Sequence, residues 1–168
     1  MTNLSTTLAV DKVAKKYGNN VIKTAVGEIN VVNKMKELDS CLGGEGNGGI
    51  IFSESHLGRD SLVGATLFLN RLVQENKTVS QIFNSMPQFY MLKDKIELNN
   101  INAIDAIKKI KQNYPKVKKD TQDGLKLIWE NSWLHIRKSN TEPIIRIYSE
   151  AQSKNDAKKL INEIKKII

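Results

Sequence analysis

The sequence predicts an α/β first half joined to an α+β second half. Short strands alternate with helical patterns as far as Met86, which argues for a layered α/β arrangement. From Pro87 onward the pattern instead reads β-α-β-β-β-α, a compact unit of about 80 residues. The charge also breaks at Ser85-Met86-Pro87. Residues 1–86 carry 9 Lys and Arg against 8 Asp and Glu, whereas residues 87–168 carry 17 against 10. Two domains, 1–86 and 87–168, are therefore expected.

In the first half, Val10, Val13, Ala14 and Tyr17 recur at helical spacing, and Tyr17-Gly18 supplies a helix stop. Val21–Thr24 reads as a short strand. Ile29, Val32, Met35 and Lys36 mark a second helix. Leu42 and Gly49–Phe52 read as strand material on either side of a glycine run. Asp60 is a predicted N-cap, with Leu62, Ala65, Thr66, Leu69, Leu72 and Val73 as the apolar stripe of the helix it starts. A short helix is expected over Val79 to Asn84.

In the second half, Phe89–Leu98 reads as a strand and Ile101, Ile104, Ile107 and Ile110 as one helical stripe ending near Tyr114-Pro115. Leu125, Leu127 and Trp129 alternate with polar residues, and Glu130-Asn131-Ser132 makes a turn. Leu134 and Ile136 then alternate with Trp133, His135 and Arg137. Pro143–Ser149 is a third strand. Ala157, Leu160, Ile161 and Ile164 define a closing helix.

The chain has 168 residues, 40% hydrophobic and 26% charged, the composition of an ordinary globular protein. No stretch is long and apolar enough to span a membrane, and the N-terminus lacks a secretory pattern. A single cysteine, Cys41, cannot form an internal disulfide and is expected to be a small buried hydrophobe; a cytoplasmic location is the default. The net charge of +8 falls mainly on the second half. Its lysines sit between apolar positions with few aromatics, so a solvated face is expected rather than a nucleic-acid surface.

Two short segments carry the chemistry. The first is Gly43-Gly44-Glu45-Gly46-Asn47-Gly48-Gly49, which holds five of the 10 glycines. Glycine loses the most backbone entropy on folding, so such a cluster needs a reason. Glu45 can only accept hydrogen bonds, while Asn47 both accepts and donates, a pairing suited to the hydroxyls of a small polar ligand. The run fits neither a P-loop nor a dinucleotide fingerprint. The second segment is Arg137-Lys138-Ser139-Asn140-Thr141-Glu142-Pro143, followed by Arg146. Short polar side chains on a tight turn, flanked by two guanidinium groups, make either a capped hairpin or an anion nest. Arginine can bond two phosphate oxygens at once.

With both segments in view, the chain resembles the C-terminal half of the α-D-phosphohexomutases, the family of phosphoglucomutases, phosphomannomutases and phosphoglucosamine mutases. Gly44–Gly49 is similar to the sugar-binding loop of that family's third domain, with Asn47 where serine is usual and Gly49 where histidine is usual. Arg137–Pro143 with Arg146, preceded by Asp123-Gly124, is similar to the phosphate-binding loop of the fourth domain. Lys23–Glu28 is similar to a third-domain segment near the substrate.

The resemblance implies an N-terminally incomplete α/β third domain and a TATA-binding-protein-like fourth domain. It implies that Glu45, Gly46 and Asn47, with Lys23 and Glu28, bind the sugar. Arg137, Ser139, Asn140, Thr141 and Arg146 would clamp the phosphate that is not transferred. His56 reads as a surface residue and Arg59-Asp60 as a helix start. The family's phosphoserine loop and magnesium loop do not occur in this sequence, so no catalytic or metal-ligating residue is expected here. Magnesium and a hexose 1,6-bisphosphate are implied for the complete enzyme. The expected partners are a hexose phosphate and the family's two N-terminal domains, with neither nucleic acid nor membrane. A non-catalytic sugar-phosphate-binding protein, or one subunit of a split enzyme, is the alternative.

Overall fold

A computed structural model describes residues 1–98, 101–139 and 141–168. It contains two compact units, Met1–Gln88 and Phe89–Ile168.

The first unit is built on a small sheet of β1 (Thr2–Asn3), β2 (Lys23–Thr24), β3 (Leu42–Gly44) and β4 (Ile50–Phe52) in the order β2-β1-β3-β4. β1 runs parallel to both its neighbours, and β3 and β4 form an antiparallel hairpin. The glycine run is the turn of that hairpin. α1 (Leu8–Lys16) starts at Thr7, whose hydroxyl caps Ala9 N–H, and it ends where Gly18 takes φ 73°. α2 (Glu28–Glu37) packs Val31, Val32 and Met35 with Ile51 into a small core. α3 (Ser61–Glu75) starts at Asp60, whose side chain accepts from Leu62 and Val63 N–H. α4 (Val79–Ser85) starts with a capping box between Thr78 and Gln81.

The second unit is a five-stranded antiparallel sheet in the order β5-β9-β8-β7-β6, with α5 (Ala103–Asn113) and α6 (Lys154–Ile167). Its strands are β5 (Tyr90–Glu97), β6 (Lys118–Asp120), β7 (Leu125–Ile128), β8 (Trp133–Lys138) and β9 (Ile144–Ala151). The main core lies under the helices. There Leu125, Leu127, Leu134, Ile136, Ile145 and Ile147 from the sheet meet Ala106, Ile110, Ile161 and Ile164.

Several expectations are corrected. The strand Val21–Thr24 shortens to Lys23–Thr24. Ile29 and Ile104, placed on buried helical stripes by periodicity, are exposed; Val31 and Ala103/Ala106 take the inward positions. The stripe on α3 faces solvent at Leu62, Leu69 and Val73, and no residue of α3 is buried. Periodicity shows that a helix has an apolar face but not whether anything covers it. Cys41 is exposed because it enters β3 beside the half-exposed Leu42. The expected β-α-β-β-β-α order gains an edge strand, β6, whose Lys-Lys-Asp sequence gave no apolar alternation. Charged edge strands of this kind resist pairing with other chains.

Candidate functional site

In the glycine turn, Glu45 N–H donates to Gly49 O (3.0 Å) and Gly48 N–H to Glu45 O (3.1 Å). Asn47 Oδ1 accepts from Gly49 N–H at 3.1 Å, an Asx turn that fixes its amide at the exposed tip. Gly46 is required by close approach: a Cβ there would sit 2.7 Å from Ser5 O. The turn is thus wedged against the β1–α1 connection.

This packing delivers the Glu45 carboxylate into a prepared frame, and only 6% of the side chain is exposed. Its Oε1 accepts from Asn3 Nδ2 (2.8 Å) and from Gly27 N–H (3.2 Å). Its Oε2 meets Asn47 Nδ2 at 3.4 Å and Arg59 Nη1 at 3.6 Å, both long. One oxygen is therefore anchored and the other is loosely held at the mouth of the turn. Glu45 and Asn47 thus lie side by side. The frame residues Asn3, Gly27 and Arg59 were not foreseen, since they lie far away in sequence. Glu28 ion-pairs with Arg59 (Oε2 to Nε, 2.7 Å) and accepts its backbone N–H at 2.9 Å. That backbone hydrogen bond, more than the guanidinium, holds the Glu28 carboxyl below its usual range. Lys23 is not brought to the turn: its ammonium bonds Asp11 (2.7 Å) and Thr2 (3.1 Å), tying α1 to the sheet. His56 is half-exposed and bonds Asp60 at 3.0 Å, and that contact is the leading cause of the lowered Asp60 carboxyl.

In the second unit, β8 and β9 place Arg137 and Arg146 directly opposite each other in register. Like charges at such a cross-strand pair repel. Arg146 bonds Glu142 (Nη2 to Oε2, 2.8 Å), and hydrogen bonding to Tyr148, then to Glu142, raises its pKa further. Arg137 has weaker compensation. Asp123 stands 4.0 Å from its Nε, and that Nε is buried with no hydrogen-bond acceptor among the described residues. Ser139 is buried, its N–H donating to Ile144 O at 2.9 Å, and its hydroxyl lies 3.4 Å from that of Thr141. Asn140 lies outside the described residues.

His135 sits behind this turn. It is buried, and its Nε2–H donates to Asp123 O at 2.7 Å, fixing the bend that carries Asp123 toward Arg137. Burial is the main cause that pushes the imidazole below its usual range. The unfolded chain therefore takes up a proton near pH 6.5 that the folded chain resists. His135 thus contributes stability above that pH, which is lost as the pH falls below it, by at most about 1.4 kcal/mol per pH unit. Urea denaturation at pH 7 and pH 5 should show the loss, and His135→Gln should flatten it.

Among the described residues no three His, Cys, Asp or Glu side chains gather in a metal-binding group. No helix among them is long and apolar enough to cross a membrane.

Residues 1–90 match the phosphoglucomutase/phosphomannomutase alpha/beta/alpha domain III, and residues 94–167 match the C-terminal domain of the same enzymes. The chain belongs to the phosphoglucomutase/phosphomannomutase family, as part of the α-D-phosphohexomutases. Among curated relatives it is 36% identical to a phosphoglucosamine/phosphogalactosamine mutase of Sulfurisphaera tokodaii, over 100% of this chain and 38% of that protein. It is 33% identical to a phosphoglucomutase/phosphomannomutase of Thermococcus kodakarensis, over 96% of this chain and 36% of that one. A solved family member from Burkholderia thailandensis shares the fold, with a TM-score of 0.81 at 20% identity, covering 99% of this chain and 36% of that structure. The chain thus spans little more than a third of the relatives it matches.

Proposed function

We propose that this chain is the substrate-recognition part of a phosphohexomutase, one unit reading sugar hydroxyls and the other holding a phosphate. The observation that carries the reading is the opposed pair Arg137 and Arg146, with the Arg137 Nε–H buried and lacking an acceptor among the described residues. Two guanidinium groups held face to face favour a dianion, and a phosphate monoester offers the several oxygens that their planar forks match. Ser139 and Thr141 would add hydroxyl donors, and Asn140 an amide. On the other unit, Glu45 and Asn47 present an acceptor and an amide to sugar hydroxyls, with Gly46 allowing close approach.

The complete protein would interconvert hexose 1-phosphate and hexose 6-phosphate through a bisphosphorylated intermediate. Magnesium and a phosphoserine, which neutralise and carry the moving phosphoryl group, would come from loops other than those described here. This chain contributes positioning and is expected to be inactive by itself. Glucose, mannose and glucosamine phosphates are the complete protein's candidate substrates. Its expected place is the cytoplasm.

Titration calorimetry with inorganic phosphate and with glucose 1-phosphate tests the reading. Millimolar binding of both is expected. Arg137→Gln should weaken both by about tenfold or more, in keeping with loss of a charge-assisted hydrogen bond. Binding that persists unchanged in the Arg137→Gln/Arg146→Gln double variant would sink the phosphate assignment. Glu45→Gln should weaken glucose 1-phosphate alone.

A further inference from the structure

Arg59 precedes the N-cap of α3 and stands at the open lip of the glycine turn, about half of its side chain exposed. Its placement is fixed from three sides. Its Nε and backbone N–H are both held by the Glu28 carboxylate, at 2.7 and 2.9 Å. Its aliphatic stem fills the space above Gly49, where a Cβ would lie 2.3 Å from Arg59 Cδ. Its Nη1 then points at Glu45 Oε2 but stops at 3.6 Å, too far for a direct hydrogen bond. The Nη2 group bonds no described residue.

A guanidinium locked in place yet held short of the neighbouring carboxylate leaves room for a third group. We propose that Arg59 is a specificity-determining residue that, with Glu45, brackets one hydroxyl of the bound sugar. The hydroxyl donates its hydrogen to Glu45 Oε2 and accepts from the Arg59 fork. Only a group that both donates and accepts satisfies the two sides. A hydrogen or an ammonium at that ring position leaves the arginine without an acceptor, and sites built to hydrogen-bond a hydroxyl strongly reject such analogues. The Glu28 clamp makes Arg59 a pre-set donor, so little side-chain entropy is lost when the ligand arrives. This inference rests on the sugar-binding reading of the turn.

The experiment is a two-dimensional amide NMR titration of the whole chain with glucose 1-phosphate and its ring-deoxy analogues, in wild type, Arg59→Gln and Arg59→Lys. In wild type the 43–49 turn and the Arg59 Nε–H should shift together, and one deoxy analogue should bind about tenfold more weakly. Arg59→Gln should lose about tenfold in affinity for glucose 1-phosphate and discriminate that analogue no longer. Arg59→Lys should recover only part of the affinity, because lysine lacks the fork. Unchanged affinity and discrimination in Arg59→Gln, with the turn still shifting, would overturn the inference and leave the sugar-binding reading intact. A wild-type titration that moves only residues near Arg137 would overturn both.

Discussion

Gly124→Ala should destabilise the second unit by about 3 kcal/mol or more and weaken the proposed phosphate binding with it. Gly124 takes φ 73°, which costs an alanine roughly 1–2 kcal/mol. The larger obstacle is space. A Cβ would lie 2.3 Å from Ile136 O and 2.9 Å from both Cα and Cβ of Arg137. The first of these neighbours is backbone in the middle of β8, whose register with β7 pairs Leu125 with Ile136, both fully buried. Neither strand can give way without disturbing the core, and interiors packed to crystal-like density transmit such a push. Arg137 would be displaced directly, so the anion affinity should fall even in the molecules that stay folded. Chemical denaturation followed by Trp fluorescence reads the first effect and phosphate calorimetry the second. A loss below 1 kcal/mol would mean that β7 slides freely over β8.

The two chemical segments were legible in the sequence because each is compact. Seven consecutive residues make the glycine run, and seven more plus Arg146 make the segment proposed to hold phosphate. Local spacing conveys such groups without knowledge of the fold. The frame around Glu45 was not legible, because Asn3, Gly27 and Arg59 are 42, 18 and 14 positions away and meet it only through the β1–β3 pairing and the two helix starts. Arg59 read as a helix start, and it does precede the N-cap; its side chain is aimed by Glu28, 31 residues earlier. Helix positions followed from periodicity and caps. Which faces are covered did not, as the exposed stripe on α3 shows. The polar strand β6 had no alternation to betray it.

The other large effect is expected from Glu150, on the same face of the second sheet as the two site arginines. Glu150 and Trp133 are opposite one another in β9 and β8, and Trp133 Nε1–H donates to Glu150 Oε2 at 2.8 Å. The Lys126 ammonium lies 4.0 Å from the centre of the Trp133 ring, a cation–π contact. Lys126, Trp133 and Glu150 are each at most 3% exposed. A cation and a carboxylate buried this deeply on one sheet face help to balance each other, and removing one takes away part of what offsets the burial of the other. Glu150→Ala should therefore cost about 3–5 kcal/mol, a large share of the roughly 5–15 kcal/mol that holds a domain together. Glu150→Gln keeps an acceptor for the indole and removes only the charge, so it should cost about half as much. Lys126→Met tests whether the charges compensate each other. In the Glu150→Gln background it should restore stability, since both buried charges are then gone. If the two substitutions instead add, each charge is compensated by a different group, and the lysine and glutamate act independently.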